Sequence, residues 1–107
     1  MQTRVTRIDD SCLQISGDLT FRNVVLVREQ LEQLLAVASG EQVISLANIG
    51  RVDSSALSLW LCVQRWARER QLVLLITDMP DEVRALGRLV GMDRHWERML
   101  RPGCETS

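Results

Sequence analysis

Asp53, Ser54 and Ser55 stand in succession where a β-rich stretch gives way to a helical pattern opening at Ala56 and Leu57. Side-chain oxygens at a helix start accept the orphan backbone N–H groups there, so capping is one use of this triplet. A second use would be chemistry at a hydroxyl. Serine acts as a nucleophile only with a base beside it, and no such arrangement is recognisable here. The single histidine, His95, sits beside Trp96 near the end of the chain and reads as a surface or packing residue. Cys12, Cys62 and Cys104 show no CxxC spacing, and with one histidine they leave almost no candidates for a zinc site. No Walker motif or glycine-rich phosphate cradle is present. These residues predict no enzyme, no metal and no cofactor.

Composition narrows the classes further. A length of 107 residues suits one domain over 1–107, with a core about 4–100 and a tail from 101 to 107. Hydrophobic residues at 46% and charged residues at 25% exclude extended disorder. One Phe, three Trp and no Tyr mean that Leu, Val, Ile and Ala must build the core. A formal charge of −1 gives no general pull toward nucleic acid or an anionic membrane surface. Every basic residue is Arg, which slightly favours a fixed-geometry protein contact, although genomic base bias accounts for it equally well. The odd cysteine set predicts unpaired thiols in a reducing compartment. The first ten residues lack the apolar core of a signal peptide, and no apolar run approaches the roughly 20 residues that span a bilayer. The expectation is a soluble cytoplasmic chain with no direct membrane insertion.

The elements that position the triplet follow from hydrophobic periodicity. Arg4 to Ile8 and Cys12 to Ser16 alternate around the turn residues Asp9, Asp10 and Ser11, which predicts a hairpin ended by Gly17. Val24, Val27, Leu31, Leu34, Leu35 and Ala38 form the stripe of an amphipathic helix, started by Thr20 or Asn23 and ended by Gly40. Val43 to Ile49 reads as a strand, Asp53 to Arg70 as a helix, and Leu72 to Ile76 as a strand covered on both faces. Pro80 takes the first position of a third helix, with Val83, Leu86, Leu89 and Val90 inward and Gly91 as its stop. Met92 to Leu100 closes the domain, with Trp96, Met99 and Leu100 covering apolar surface, while Arg84, Arg88 and Arg94 form a solvated face. The order β-β-α-β-α-β-α predicts an α/β fold with a mixed, mostly parallel sheet, an antiparallel hairpin edge and about three to four helices.

The second helix is too apolar for one sheet. Ser58, Arg65 and Glu69 occupy one narrow polar sector, whereas a surface helix needs an apolar stripe only somewhat over ~100° wide. With Leu57, Trp60, Leu61 and Ala67 facing the sheet, Leu59, Cys62 and Trp66 are left over on the flank that carries Ser55. That flank packs on a neighbouring helix or meets a partner; Trp66 suits an interface anchor.

The run from Asp53 to Leu57, an acidic residue, two serines, a small residue and leucine at the end of a central strand, resembles the signature loop of STAS domains, the family of anti-sigma-factor antagonists. Ile15-Ser16-Gly17-Asp18-Leu19 resembles the second strand and its exit, and Ala85 to Gly91 the third helix. The resemblance implies the STAS fold and, in antagonists, phosphorylation of the second serine, here Ser55, by an anti-sigma factor kinase. Thr20 and Ala56 stand where antagonists carry Asp and Gly, which points away from a phosphoswitch. Ser45 to Asp53 is similar to the MlaB-type branch, cytoplasmic STAS subunits of phospholipid-transporting ABC complexes that maintain outer-membrane lipid asymmetry, although Ser45 replaces an acidic residue common there. That likeness implies docking on the ATPase subunit, within a complex holding a membrane permease, with the chain peripheral to the inner membrane. The expected partner-binding set is Arg51, Asp53, Ser54, Ser55, Ser58, Leu59, Cys62 and Trp66, with Ser54 at the position on which docking depends.

Overall fold

The computed structural model describes residues 3–92, 98 and 100–101. Strands β1 (Arg4–Asp9) and β2 (Cys12–Leu19) form the predicted antiparallel hairpin. There follow α1 (Val24–Leu35), β3 (Glu41–Val52), α2 (Ser55–Glu69), β4 (Val73–Thr77), α3 (Asp81–Leu89) and β5 (Leu100–Arg101). The strands lie in one sheet in sequence order, with β2 to β5 parallel. Parallel neighbours need right-handed crossovers, and because every step runs the same way α1 and α2 share one face. Leu13, Ile15 and Leu19 of β2, Ile44 and Leu46 of β3, and Leu74 and Ile76 of β4 there meet Val27, Leu31 and Leu35 of α1. Leu59, Trp60 and Val63 of α2 and Val83 of α3 complete that core.

Local chemistry sets the connections. Asp9 Oδ1 accepts the Ser11 N–H at 2.8 Å, so the hairpin turns on an aspartate as its sequence requires. The Arg7 guanidinium donates to the carbonyls of Asp9, Asp10 and Leu34, tying that turn to the end of α1. Helix α2 closes with the Leu72 N–H on the Ala67 carbonyl and the Gln71 N–H on that of Arg68, Gln71 adopting φ 60. Helix α3 repeats this closure at Gly91, φ 78, with the Met92 N–H on the Gly87 carbonyl.

Several boundaries differ from the periodicity reading. Gly17 does not end β2, which continues to Leu19 through a register shift after that glycine. Helix α1 stops at Leu35, capped by Ala36, and Gly40 belongs to the turn into β3, its carbonyl accepting the Val73 N–H. Asn23 makes no side-chain cap and instead donates to the Asp18 carbonyl at 2.9 Å. Pro80 is the extended residue before α3 rather than its first helical position. Leu89 and Val90 are exposed, not inward. At 100° per residue Leu89 lies about 120° away from Val83, and Val90 has already left helical geometry. Val73 opens β4 exposed, while Leu74, Leu75, Ile76 and Thr77 are buried on both faces as expected. Arg101 is part of β5 rather than of a tail. Cys62 is free, whereas Cys12 is disulfide-bonded, against the expectation of unpaired thiols. The expectations for Arg94, His95, Trp96 and Met99 lie outside the described residues. Among the described residues no helix is long and apolar enough to cross a membrane.

Candidate partner-docking site

The Asp53–Ser54–Ser55 turn sits at the C-terminal end of β3, where α2 begins. Of the three, Asp53 caps the helix. Its Oδ1 accepts the Ser55 N–H at 2.8 Å, and its backbone carbonyl accepts the Ala56 N–H. Its Oδ2 accepts the backbone N–H of Phe21 at 3.1 Å, joining the β2–α1 turn to the start of α2. Desolvation pushes the Asp53 carboxyl up, but the Phe21 and Ser55 amides and the Ser55 side chain together stabilise the carboxylate more, so its pKa falls below the ordinary aspartate value. Asp53 is therefore a positioning residue, and its oxygens face the chain rather than a partner.

A second carboxylate braces the same tip. Asp18 Oδ1 accepts the Arg51 N–H at 2.9 Å, and the Asp18 carbonyl takes the Thr3 hydroxyl at 2.6 Å. A Cβ at Gly50 would lie 2.5 Å from Asp18 Oδ1, so a side chain there would push the Asp18 carboxylate away from the Arg51 N–H. The Gly-acidic-Leu exit of β2 thus holds the backbone of the signature loop in place.

The predicted residues divide. Ser54 is exposed and its hydroxyl makes no capping bond; Arg51 and Ser58 are also exposed. Ser55 is half-buried, with its N–H and side chain on Asp53. Leu59 is 6% exposed and belongs to the core, whereas Leu61, assigned to the sheet face, is 48% exposed. The buried arc of α2 centres on Val63, from which Leu61 points about 160° away. Trp66 packs partly on the core, and the Arg70 guanidinium covers its ring at 3.9 Å. Of the expected flank, Leu59 lies in the core, Trp66 is covered in part by the core and by Arg70, and Cys62 stays exposed.

What remains open is a groove of about 210 Å³ between α1 and α2. Leu59 is its floor, Val24, Val25 and Arg28 form one wall, and Ser55, Ser58 and Cys62 the other. In the turn before α1, three residues ahead of Val24, Phe21 is 69% exposed, with the Arg22 guanidinium 5.7 Å from its ring centroid. Phe21 and Val25, which is 61% exposed, escaped the periodicity argument. The available signal was an aromatic residue in a turn, outside every periodic stripe.

Among the described residues the strand order does not reverse. The apolar interior cavity beneath α2, lined by Ile15, Leu46, Trp60 and Val63 among others, holds about 30 Å³, room for little more than a water molecule. Among the described residues no cluster of His, Cys, Asp and Glu could hold a metal ion.

Comparison with known proteins accords with this arrangement. No curated protein matches the chain. Among solved structures, the anti-sigma factor antagonist SpoIIAA in its unphosphorylated form aligns with a TM-score of 0.72, covering 97% of this chain and 90% of that chain at 14% identity. That likeness speaks to the fold alone. A family model described as "Mlab, STAS domain" matches residues 3–102 and so takes in the sheet, the helices and the Asp53–Ser55 turn. The chain belongs to this MlaB-type STAS domain family.

Proposed function

We propose that this chain is a non-catalytic cytoplasmic subunit that docks on, and supports, the ATPase of a phospholipid-transporting ABC complex. The observation that carries this reading is the exposed Phe21, pinned through Asp53 beside the free hydroxyl of Ser54 and the groove that Ser58 and Cys62 line. Large exposed aromatics in pre-organised surroundings are typical binding hot spots. The contact centres on Phe21, Arg51, Ser54, Ser58 and Cys62; Asp53 and Leu59 support it from beneath. Paired ATPase subunits imply two copies per assembly, each peripheral to the inner membrane through its partner and binding no lipid itself.

The test is co-expression with the ATPase and permease subunits, followed by alkylation mapped to Cys62. Docking should co-purify the subunits and protect this exposed thiol. Absence of a complex, or a complex in which Cys62 labels as fast as in the free chain, rejects the assignment.

The alternative is an anti-sigma-factor antagonist switched at Ser55 by a partner kinase. Ser55, half-buried at the head of α2, stands at the acceptor position that the STAS resemblance implies. Engagement of Ser55 by Asp53 weighs against it, as do Thr20 and Ala56. A one-phosphate mass increase on the chain from cells, mapped to Ser55, would establish this alternative.

A further inference from the structure

Among the described residues β1 ends the sheet and pairs only with β2. An end strand presents a row of backbone groups to any further strand, one from a second copy of the chain included. In an antiparallel pair, successive residues turn these groups alternately toward and away from the neighbour. The Val5 N–H donates to Gln30 Oε1 of α1 at 2.7 Å, so Val5, opposite Ile15, turns outward, and Arg7 by alternation does the same. The Arg7 guanidinium reaches the Leu34 carbonyl at 3.2 Å. Four residues of helix advance about 6 Å and two of strand about 6.8 Å, so α1 keeps step with β1 and meets it twice. The half-buried Gln30 side chain thus places its carbonyl where the next strand would place a backbone one.

We infer that Gln30 guards the β1 edge: by occupying the Val5 N–H it closes this edge to strand addition by a second copy of the chain. The two competitors offer the same group, an amide carbonyl. Gln30 is tethered within the domain, whereas a second chain must give up its own freedom to bind. A side chain also carries no ladder beyond its one bond, so it satisfies the donor without extending the sheet. The closure is independent of where the ATPase subunit docks.

The test uses the full chain with Gln30→Ala, which suits a helix but removes the acceptor, and Gln30→Glu, which keeps one. Circular dichroism should match wild type for both. In dilute Gln30→Ala the Val5 amide should exchange at least about tenfold faster than in wild type, measured by NMR. As the concentration rises, sedimentation should show dimers and the Val5 amide should slow again, while wild type and Gln30→Glu stay monomeric. The inference is overturned by Gln30→Ala staying monomeric at every concentration, by unchanged Val5 exchange, or by dimers in which the Val5 amide remains fast. Wild type pairing as readily as Gln30→Ala overturns it too. Should Gln30→Ala lose its fold, Gln30→Leu, of similar size and also without an acceptor, carries the same comparison.

Discussion

Asp53 reaches across 32 positions of sequence to take the backbone N–H of Phe21 at 3.1 Å, while its other oxygen holds the Ser55 N–H at 2.8 Å. One carboxylate therefore starts a helix and fixes where the chain's only phenylalanine stands. The docking tip is pre-organised by bonds inside the domain, so partner binding need not pay to order it.

Replacing Asp53 with Ala should lower the thermal midpoint and weaken partner binding together, because cap and Phe21 tether are lost at once. Asp53 has a folded pKa below its unfolded value, so its contribution is fully present above the unfolded pKa, about 4, and is lost as pH falls through the folded one. Melts of the wild type should therefore lose stability below about pH 4 more steeply than those of Asp53→Asn. Parallel profiles for the two proteins would contradict this role.

Phe21→Ala should separate binding from folding. The side chain is mostly in solvent, so stability should stay within about 0.5 kcal/mol of wild type, as for ordinary surface changes. Affinity for the ATPase subunit should fall about tenfold or more, measured by calorimetry. A large loss of stability would mean that Phe21 is structural.

The two serines should behave differently. Ser54→Arg places bulk and charge on an exposed hydroxyl position and should abolish partner binding with an unchanged circular dichroism spectrum. Ser55→Ala should be nearly silent for complex assembly, since Asp53 holds Ser55 by its backbone N–H, which alanine keeps. Loss of assembly in Ser55→Ala would move the weight to a phosphoswitch.

Leu59→Ala should cost about 2–5 kcal/mol in urea unfolding, as a buried leucine does. Cys62→Ser, one turn on and exposed, should leave stability unchanged. Similar small effects from both would restore Leu59 to the surface flank.

Gly50→Ala should cost about 1–3 kcal/mol, because Asp18 must swing away from the new Cβ and release the Arg51 N–H. Asp18→Asn in the same background should add little, since the bond is already lost. Full additivity of the two changes would show that they do not act through this contact.

By itself the sequence determined the element order, the hairpin turn at Asp9, the stop at Gly91 and the hydroxyl-bearing turn at the head of α2. Each is a local property, a period, a turn residue or a cap, written within a few neighbouring positions. Tertiary structure alone decided that Leu59 is core and Leu61 is not, that the exposed Phe21 is tied to the head of α2, and that Asp53 and Asp18 serve the backbone. A helix's apolar arc shows how much surface must be covered but not by what: on α2 the core takes Leu59, Arg70 lies over Trp66, and Cys62 stays exposed. Bonds such as Asp53 to Phe21 join residues that only the parallel crossover brings together, and nothing in the spacing of either residue encodes the other's position.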